Sequence, residues 1–249
     1  MKSINKTLLL LSLITLFFQN SFAQKSLAMS LWYDKPANNW NEALPIGNGR
    51  LAAMIFGDPG SDRLQLNEET IWAGEPGNNV PQNVYEPLQQ IRKLLFAGKY
   101  QEAQDLSNQT FPRQAPKGLN YGMPYQTAGN LFMHFQGQGE VTDYHRELDI
   151  SKAVASVTFK SRRISFKREY IASIPDKVIM VRLTADQPGS ISFTLGMNSP
   201  FREYRVQTQK DKLLLSGTTG SVDNKTGKLR YHVQVQPAVE GGQITSTAS

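Results

Sequence analysis

The residues best suited to chemistry lie in one segment of the chain, residues 32–74. Within this segment Asn48 stands between two glycines, Asn67 and Glu68 are adjacent, and Trp72 follows four residues after Glu68. Amide and carboxylate groups can hydrogen-bond to sugar hydroxyls, and an indole ring can cover the apolar face of a sugar. Because a stable fold does not require this concentration of amides beside aromatic rings, the pattern predicts a binding or interface role for Asn48, Asn67, Glu68 and Trp72.

A purely structural interpretation is also open for each of these residues. The chain has three tryptophans, Trp32, Trp40 and Trp72. They can fill the core of a β fold or pack at a domain interface, and this interpretation is favoured over sugar stacking. Asn48 can stabilise a tight turn, since its flanking glycines tolerate positive φ. For Asn67 and Glu68 the binding and structural interpretations are evenly balanced.

Catalysis by this chain alone is not indicated. Glycoside cleavage with inversion needs two carboxyl groups about 6.5–9.5 Å apart, whereas Glu68 and Glu69, as neighbours in an extended segment, point to opposite faces. The histidines, at positions 134, 145 and 232, lack the spacing of metal ligands. The sequence contains neither a Gly-x-Ser-x-Gly elbow nor a phosphate-binding loop. We therefore expect no catalytic residue, no metal site and no cofactor in this chain.

Two predicted strands must position the candidate residues. Residues 51–56 form a nearly continuous apolar run typical of an inner strand, and residues 63–66 alternate between apolar and polar side chains. An Asp-Pro-Gly-Ser turn joins them into a hairpin, and residues 45–49 precede them as a tight turn. This hairpin places Asn48 and Asn67 at the same end of one sheet.

The rest of the chain predicts a mainly β fold with a helical insertion. Residues 84–109 have helical periodicity, with Pro87 in a first turn and Gly98 ending the first of two helices. Residues 111–127 predict a long loop. Beyond residue 128, turns recur at intervals of roughly ten residues, the spacing of an antiparallel sandwich or barrel. The predicted strands are 130–135, 144–149, 153–160, 164–173, 177–184, 190–197, 205–209, 212–216 and 229–236.

Residues 1–23 have the pattern of a secretory signal peptide. Lys2 and Lys6 precede an apolar run, and small residues occupy positions 21 and 23, so the mature chain is expected to begin at Gln24. A single membrane span is the alternative, but the run is shorter than the roughly 20 residues that a span needs. The absence of cysteine fits a bacterial periplasmic or secreted protein, and we expect no membrane association after cleavage.

The charge of the chain argues against nucleic acid as a partner. Removing Lys2 and Lys6 with the leader lowers the formal charge from +6 to +4, and the remaining surplus is scattered along the sequence. At the carboxyl terminus, residues 240–243 predict a hairpin turn and residues 244–247 the start of a further strand. A sandwich ending there would expose an edge, so we expect this chain to be part of a longer protein.

Several segments together resemble the N-terminal signature of glycoside hydrolase family 95, most of whose members are α-L-fucosidases. The segments are WYDKPANNWNEALPIGNGRLAAMIFG, DRLQLNEETIWAG, IRKLLFAGKYQEAQDL, YQTAGNLFMHF, VTDYHRELDISKAVASVTF and FKREYIASIPDKVIMVRLTAD. They follow one another in the family's order over nearly the whole mature chain. The departures are Ala52, Ala73 and Glu69, where glycine, serine and aspartate are expected.

The resemblance implies that residues 24–249 form an antiparallel β super-sandwich with a small inserted helical hairpin. In the family this domain precedes a linker, an (α/α)6 barrel and a smaller β domain. The barrel carries a glutamate as general acid and asparagines, backed by an aspartate, that position water for inversion. The implied function is therefore the N-terminal domain of a secreted fucosidase acting on fucosylated glycans, inactive without its barrel. A non-catalytic carbohydrate-binding or structural β module is the alternative.

Overall fold

A computed structural model describes residues 29–74, 82–111, 123–222 and 225–246. The predicted signal peptide, residues 1–23, and the predicted mature start at Gln24 lie outside the described residues. So does most of the predicted loop at 111–127. In the described ranges no helix is both long enough and apolar enough to cross a membrane.

The described residues form thirteen strands in three antiparallel sheets. The strands are β1 (Ser30–Tyr33), β2 (Leu44–Gly47), β3 (Leu51–Ile55), β4 (Ser61–Glu68), β5 (Gly129–Phe135), β6 (Val141–Asp149), β7 (Val154–Ser161), β8 (Ile164–Ser173), β9 (Val178–Ala185), β10 (Phe193–Asn198), β11 (Tyr204–Gln209), β12 (Lys212–Thr218) and β13 (Arg230–Val235). The first sheet has the order β1-β6-β7-β8-β9 and the second the order β10-β5-β4-β3-β2. The third sheet, β11-β12-β13, lies beside β10.

The first two sheets pack face to face, with β2 and β3 of the second sheet against β6 to β9 of the first. Alternate side chains of each strand enter one core, in which Ile55, Leu64 and Val157 are fully buried. Leu215 and Tyr231 of the third sheet join the same core. The predicted mainly β, antiparallel sandwich is thereby confirmed, and β3 is the inner strand that its apolar run predicts.

Two α-helices between β4 and β5 form the predicted helical hairpin. They are α1 (Tyr85–Phe96) and α2 (Tyr100–Thr110). Gly98 adopts a φ of +73° at the junction, which ends α1 as the sequence predicts. Ile91 and Ala103 are the buried residues of the two helices, whereas Phe96 at the tip is 92% exposed.

Four predictions about elements need correction. The strand predicted at 190–197 is β10, which begins only at Phe193, because its partner strand β5 ends at Phe135 opposite that residue. Residues 44–47 form strand β2 rather than part of a turn, because Leu44 and Ile46 are buried and an edge strand tolerates Pro45. Strand β6 begins at Val141, three residues early, since a β-bulge between positions 142 and 145 lets the pairing continue. Of the strand predicted at 244–247, the structure describes residues 244–246, and these do not form a strand. Ile244 is 41% exposed and has no core to cover.

Candidate functional site

The candidate residues meet at one end of the second sheet. Gly47 pairs with Ala52, and Ala52 pairs in turn with Asn67, so the turn after β2 lies beside the end of β4. Asn48 and Asn67 therefore lie at the same end of one sheet, as the hairpin predicts. A backbone hydrogen bond of 3.0 Å from Glu69 to the Arg50 carbonyl joins the two segments.

Asn48 uses its side chain to hold the turn. Its Oδ1 accepts hydrogen bonds from the backbone N–H groups of Arg50 (3.1 Å) and Leu51 (2.8 Å). Its Nδ2 donates to the carbonyl oxygen of Ser173 at the end of β8, at 2.8 Å. Asn48 thus stabilises the β2–β3 turn and ties the second sheet to the first, which is the structural role that its flanking glycines predict.

Glu68 is held as an ionised acceptor. Its Oε1 lies 3.0 Å from Nε of Arg50, and its Oε2 accepts hydrogen bonds from the backbone N–H (2.8 Å) and hydroxyl (2.5 Å) of Thr70. Partial burial raises the pKa of Glu68, but the hydrogen bonds from Thr70 and Arg50 outweigh it and bring the net pKa below its ordinary value. A carboxylate with a lowered pKa is a poor general acid, so this side chain is suited to accept hydrogen bonds.

Tyr125 contacts Asn67, Glu68 and Trp72, and the sequence does not reveal these contacts. Its ring meets Trp72 edge to face, with centroids 5.4 Å apart, and the two backbones form an isolated β-bridge. The Tyr125 hydroxyl lies 3.0 Å from the Glu68 carbonyl oxygen and 3.3 Å from Oδ1 of Asn67. Trp72 in turn donates from Nε1 to the Glu69 carbonyl at 2.8 Å. The only sequence signal for Tyr125 is the aromatic content of the predicted loop.

We call Arg50, Asn67, Glu68, Trp72 and Tyr125 the sheet-end cluster. Trp72 is 49% exposed and Tyr125 39% exposed, so the aromatic pair is open on one side. Amide, carboxylate and aromatic groups thus lie together on an accessible surface. This combination can hydrogen-bond to hydroxyl groups and pack against an apolar ring face.

The interpretation that the tryptophans fill the core is wrong. Trp32 is 62% exposed and Trp40 55% exposed, and Trp72 is also half exposed. Trp32 lies on the outward side of the edge strand β1, and Trp40 begins a single 3-10 turn, Trp40–Glu42. Aliphatic side chains, together with Phe159 and Tyr170, fill the space between the sheets instead.

The histidines lie on three different strands. Nδ1 of His134 is 2.8 Å from Oγ of Ser61, and Nδ1 of His232 is 2.8 Å from Oγ of Ser216. His145 stacks on Trp32. Among the described residues, no group of three His, Cys, Asp or Glu side chains is placed to hold a metal ion.

A buried ionic cluster, missed by sequence reasoning, supports the opposite end of the β3–β4 hairpin. Asp62 is fully buried, and its Oδ2 accepts hydrogen bonds from the Tyr170 hydroxyl and from Nη1 of Arg168 at 3.3 Å. Arg168 also donates to the carbonyl oxygens of Asp58 (2.7 Å) and Pro59 (2.5 Å). Burial raises the pKa of Asp62, and the guanidinium of Arg168 opposes that shift. The cluster is enclosed by the sandwich and fastens the hairpin turn to the first sheet.

Comparison with known proteins places the chain among glycoside hydrolase domains. It is 35% identical over 198 residues to alpha-L-fucosidase 2 of Arabidopsis thaliana. The aligned region covers 76% of this chain and 22% of that protein. The chain is 27% identical over 238 residues to probable alpha-fucosidase A of Aspergillus oryzae, and this aligned region covers 83% of this chain and 32% of the relative. The probable alpha-fucosidase A of Aspergillus niger is 30% identical over 230 residues, covering 88% of this chain and 27% of the relative.

The chain thus spans about a fifth to a third of the length of these relatives. Residues 31–249 match, as one continuous region, the model of a family described as glycosyl hydrolase family 65, N-terminal domain. That region includes every strand from β2 onward and the whole sheet-end cluster. The chain belongs to the glycosyl hydrolase family 65 N-terminal domain family.

Proposed function

We propose that this chain is the N-terminal domain of a secreted or periplasmic α-L-fucosidase-like enzyme of glycoside hydrolase family 95. The enzyme would act on fucosylated glycans with inversion of configuration. The observation that carries the proposal is the family match over residues 31–249, together with three relatives that are named as fucosidases or probable fucosidases. The sequence motifs that resemble family 95 support the finer assignment. The 22–32% share of each relative's length supports a role as one domain of a longer enzyme.

Within that enzyme, the domain is proposed to pack on an (α/α)6 catalytic barrel and to shape its pocket with the sheet-end cluster. Glu68 is held ionised by Thr70 and Arg50, so it can accept a hydrogen bond from a sugar hydroxyl without delivering a proton. Trp72 and Tyr125 offer partly exposed rings for an apolar sugar face or for a facing side chain of the barrel. The acid and base groups would come from the barrel.

Alanine substitution in the full-length enzyme tests this role. Losing a hydrogen bond to a charged group costs about 1.5–3 kcal/mol, so Glu68→Ala should lower kcat/KM about 10- to 100-fold. Asn67→Ala should also lower kcat/KM. Both side chains are partly buried, and Glu68 also bonds to Arg50 and Thr70, which are exposed and can hydrogen-bond to water instead. We therefore expect a loss of about 1 kcal/mol and a fall of only a few degrees in the melting temperature.

The matched control is Glu102→Ala, which removes an exposed carboxylate of α2 that lies 3.0 Å from Nζ of Lys99. This variant should leave both kcat/KM and the melting temperature unchanged. Parallel losses of activity and stability in the two cluster variants would contradict the proposed role, as would full activity in both.

A non-catalytic carbohydrate-binding module is the second candidate, and the half-exposed pair of Trp72 and Tyr125 favours it. This candidate predicts that the chain binds a fucosylated glycan and that its gene encodes no barrel downstream. An in-frame barrel in the following DNA would decide for the first candidate.

A further inference from the structure

We propose that the outer face of the first sheet holds a second saccharide-binding site, centred on Trp32 and independent of the sheet-end cluster. The outer face is the side turned away from the second sheet. Trp32 is 62% exposed and stacks on the imidazole of His145, with ring centroids 5.9 Å apart and an angle of 25° between the planes. The contact with the imidazole restricts the motion of the indole while most of its surface stays uncovered. A ring that is already oriented loses little entropy when a sugar packs on it.

A row of polar side chains extends from this aromatic pair across the sheet. His145 of β6 pairs with Thr158 of β7, Thr158 with Lys167 of β8, and Lys167 with Thr184 of β9. Neighbouring strands lie about 4.8 Å apart, so the four positions span about 14 Å. Because side chains alternate along each strand, and Arg168 beside Lys167 is buried, this row faces outward.

A shallow depression of about 530 Å³ lies over this row. Its polar lining residues include Thr158, Ser165, Thr184, Asp143, Lys160 and Asp186. The depression is shallow and open, so it would contact one face of a ligand and leave the other face in solvent. Since Thr158 is paired with His145, the depression begins one strand away from the aromatic platform.

The charges around the depression favour a neutral ligand. Nζ of Lys160 lies 2.8 Å from Oδ2 of Asp143, and Nζ of Lys167 lies 2.6 Å from Oε1 of Glu169. Each ammonium group is thus balanced by a carboxylate, and Asp186, whose Oδ1 accepts a hydrogen bond from the Ser165 N–H at 3.0 Å, adds a further negative charge to the lining. A polyanion would need cations that are free to neutralise it. The paired groups stay partly exposed and keep polar atoms for hydroxyl groups. An aromatic platform beside such a surface matches a neutral oligosaccharide.

Nuclear magnetic resonance of this chain tests the proposal through the indole N–H signals of its tryptophans. The probes are 2′-fucosyllactose and cellohexaose, both neutral, and chondroitin sulfate as an anion. A neutral probe should shift the Trp32 signal in a saturable way. Trp32→Ala should weaken binding about tenfold or more, while Trp32→Phe, which keeps an aromatic ring, should retain much of it. The matched control is Trp40→Ala, which removes another exposed indole and should leave the affinity unchanged.

The proposal is overturned if neither neutral probe shifts the Trp32 signal, if only chondroitin sulfate does, or if Trp40→Ala weakens binding as much as Trp32→Ala. The titration needs no turnover, so an enzyme without fucosidase activity would contradict the proposed function and leave this site standing. Failure at Trp32 would likewise leave the proposed function intact.

Discussion

Replacing Asp62 by alanine should cost about 3–5 kcal/mol of the free energy of unfolding, because it breaks a buried ion pair from one side. Asp62 is fully buried, and the Arg168 side chain is only 3% exposed, so water cannot replace the lost carboxylate. The guanidinium of Arg168 would keep its hydrogen bonds to the carbonyl oxygens of Asp58 and Pro59 but would lose the carboxylate that balances its charge. The Tyr170 hydroxyl would lose its acceptor as well. This loss is a large part of the roughly 5–15 kcal/mol by which a typical protein is stable.

Urea unfolding, followed by circular dichroism, measures this effect. Thermal unfolding gives a second measure: for a chain of this size each kcal/mol shifts the melting temperature by about 2–4 °C, so the melting temperature should fall by about 6–20 °C. Arg168→Met should be similarly harmful, since it leaves the carboxylate of Asp62 buried without its cation. The double variant Asp62→Ala, Arg168→Met should lose at least about 1 kcal/mol less than the sum of the losses of Asp62→Ala and Arg168→Met, because no buried charge is then left without its partner.

The exposed pair of Lys167 and Glu169 is the matched control, because it flanks Arg168 on the same strand. Glu169→Gln should cost less than about 1 kcal/mol, as surface ion pairs usually do. The reasoning is refuted if Asp62→Ala costs less than about 1 kcal/mol, or if the two single losses at Asp62 and Arg168 simply add.

Two further perturbations test the backbone and the surface. Gly129→Ala should destabilise the chain by about 1–3 kcal/mol, because a side chain at its φ of +136° is strained and a Cβ would overlap the Asn198 carbonyl oxygen. Thermal melting measures this loss, and Gly137→Ala is the control, since Gly137 also has a positive φ of +70° but has open space around an added Cβ. Equal losses of stability in the two variants would show that the overlap with Asn198 is unimportant. Hydrogen bonds from Lys152 and Ser151 lower the pKa of Asp149 to about 2. The folded pKa is then below the unfolded value of about 3.9, so this contribution to stability is present above pH 4 and is lost as the pH falls toward 2. A carboxyl titration by nuclear magnetic resonance should show that midpoint in the native chain and a higher one in Lys152→Met; a native midpoint near 3.9 would contradict the contact.

Periodicity predicts most elements of this fold because a half-buried strand must alternate its side chains. Strand β8 has the predicted bounds, and Gly98 ends α1 where a positive φ is needed. Strand β2 was missed, since Pro45 and Gly47 are typical turn residues and only the pairing with β3 shows that an edge position accepts them. Local pattern therefore predicts elements well, and edge strands less well.

Contacts between distant residues account for what the sequence does not predict. Asp62 and Arg168 are 106 positions apart, and Tyr125 and Asn67 are 58 apart. Such pairs depend on how the sheets stack, which no local spacing encodes. The exposure of Trp32 has the same origin, because its side of β1 becomes the outer face only once the sandwich is assembled.

Release of L-fucose from 2′-fucosyllactose tests the central claim most directly. The protein encoded by the gene through to its natural stop codon should release fucose whose first-formed anomer is β, as seen by nuclear magnetic resonance. Residues 24–249 alone should release none. No fucose from the complete gene product, or an α anomer formed first, would contradict the account.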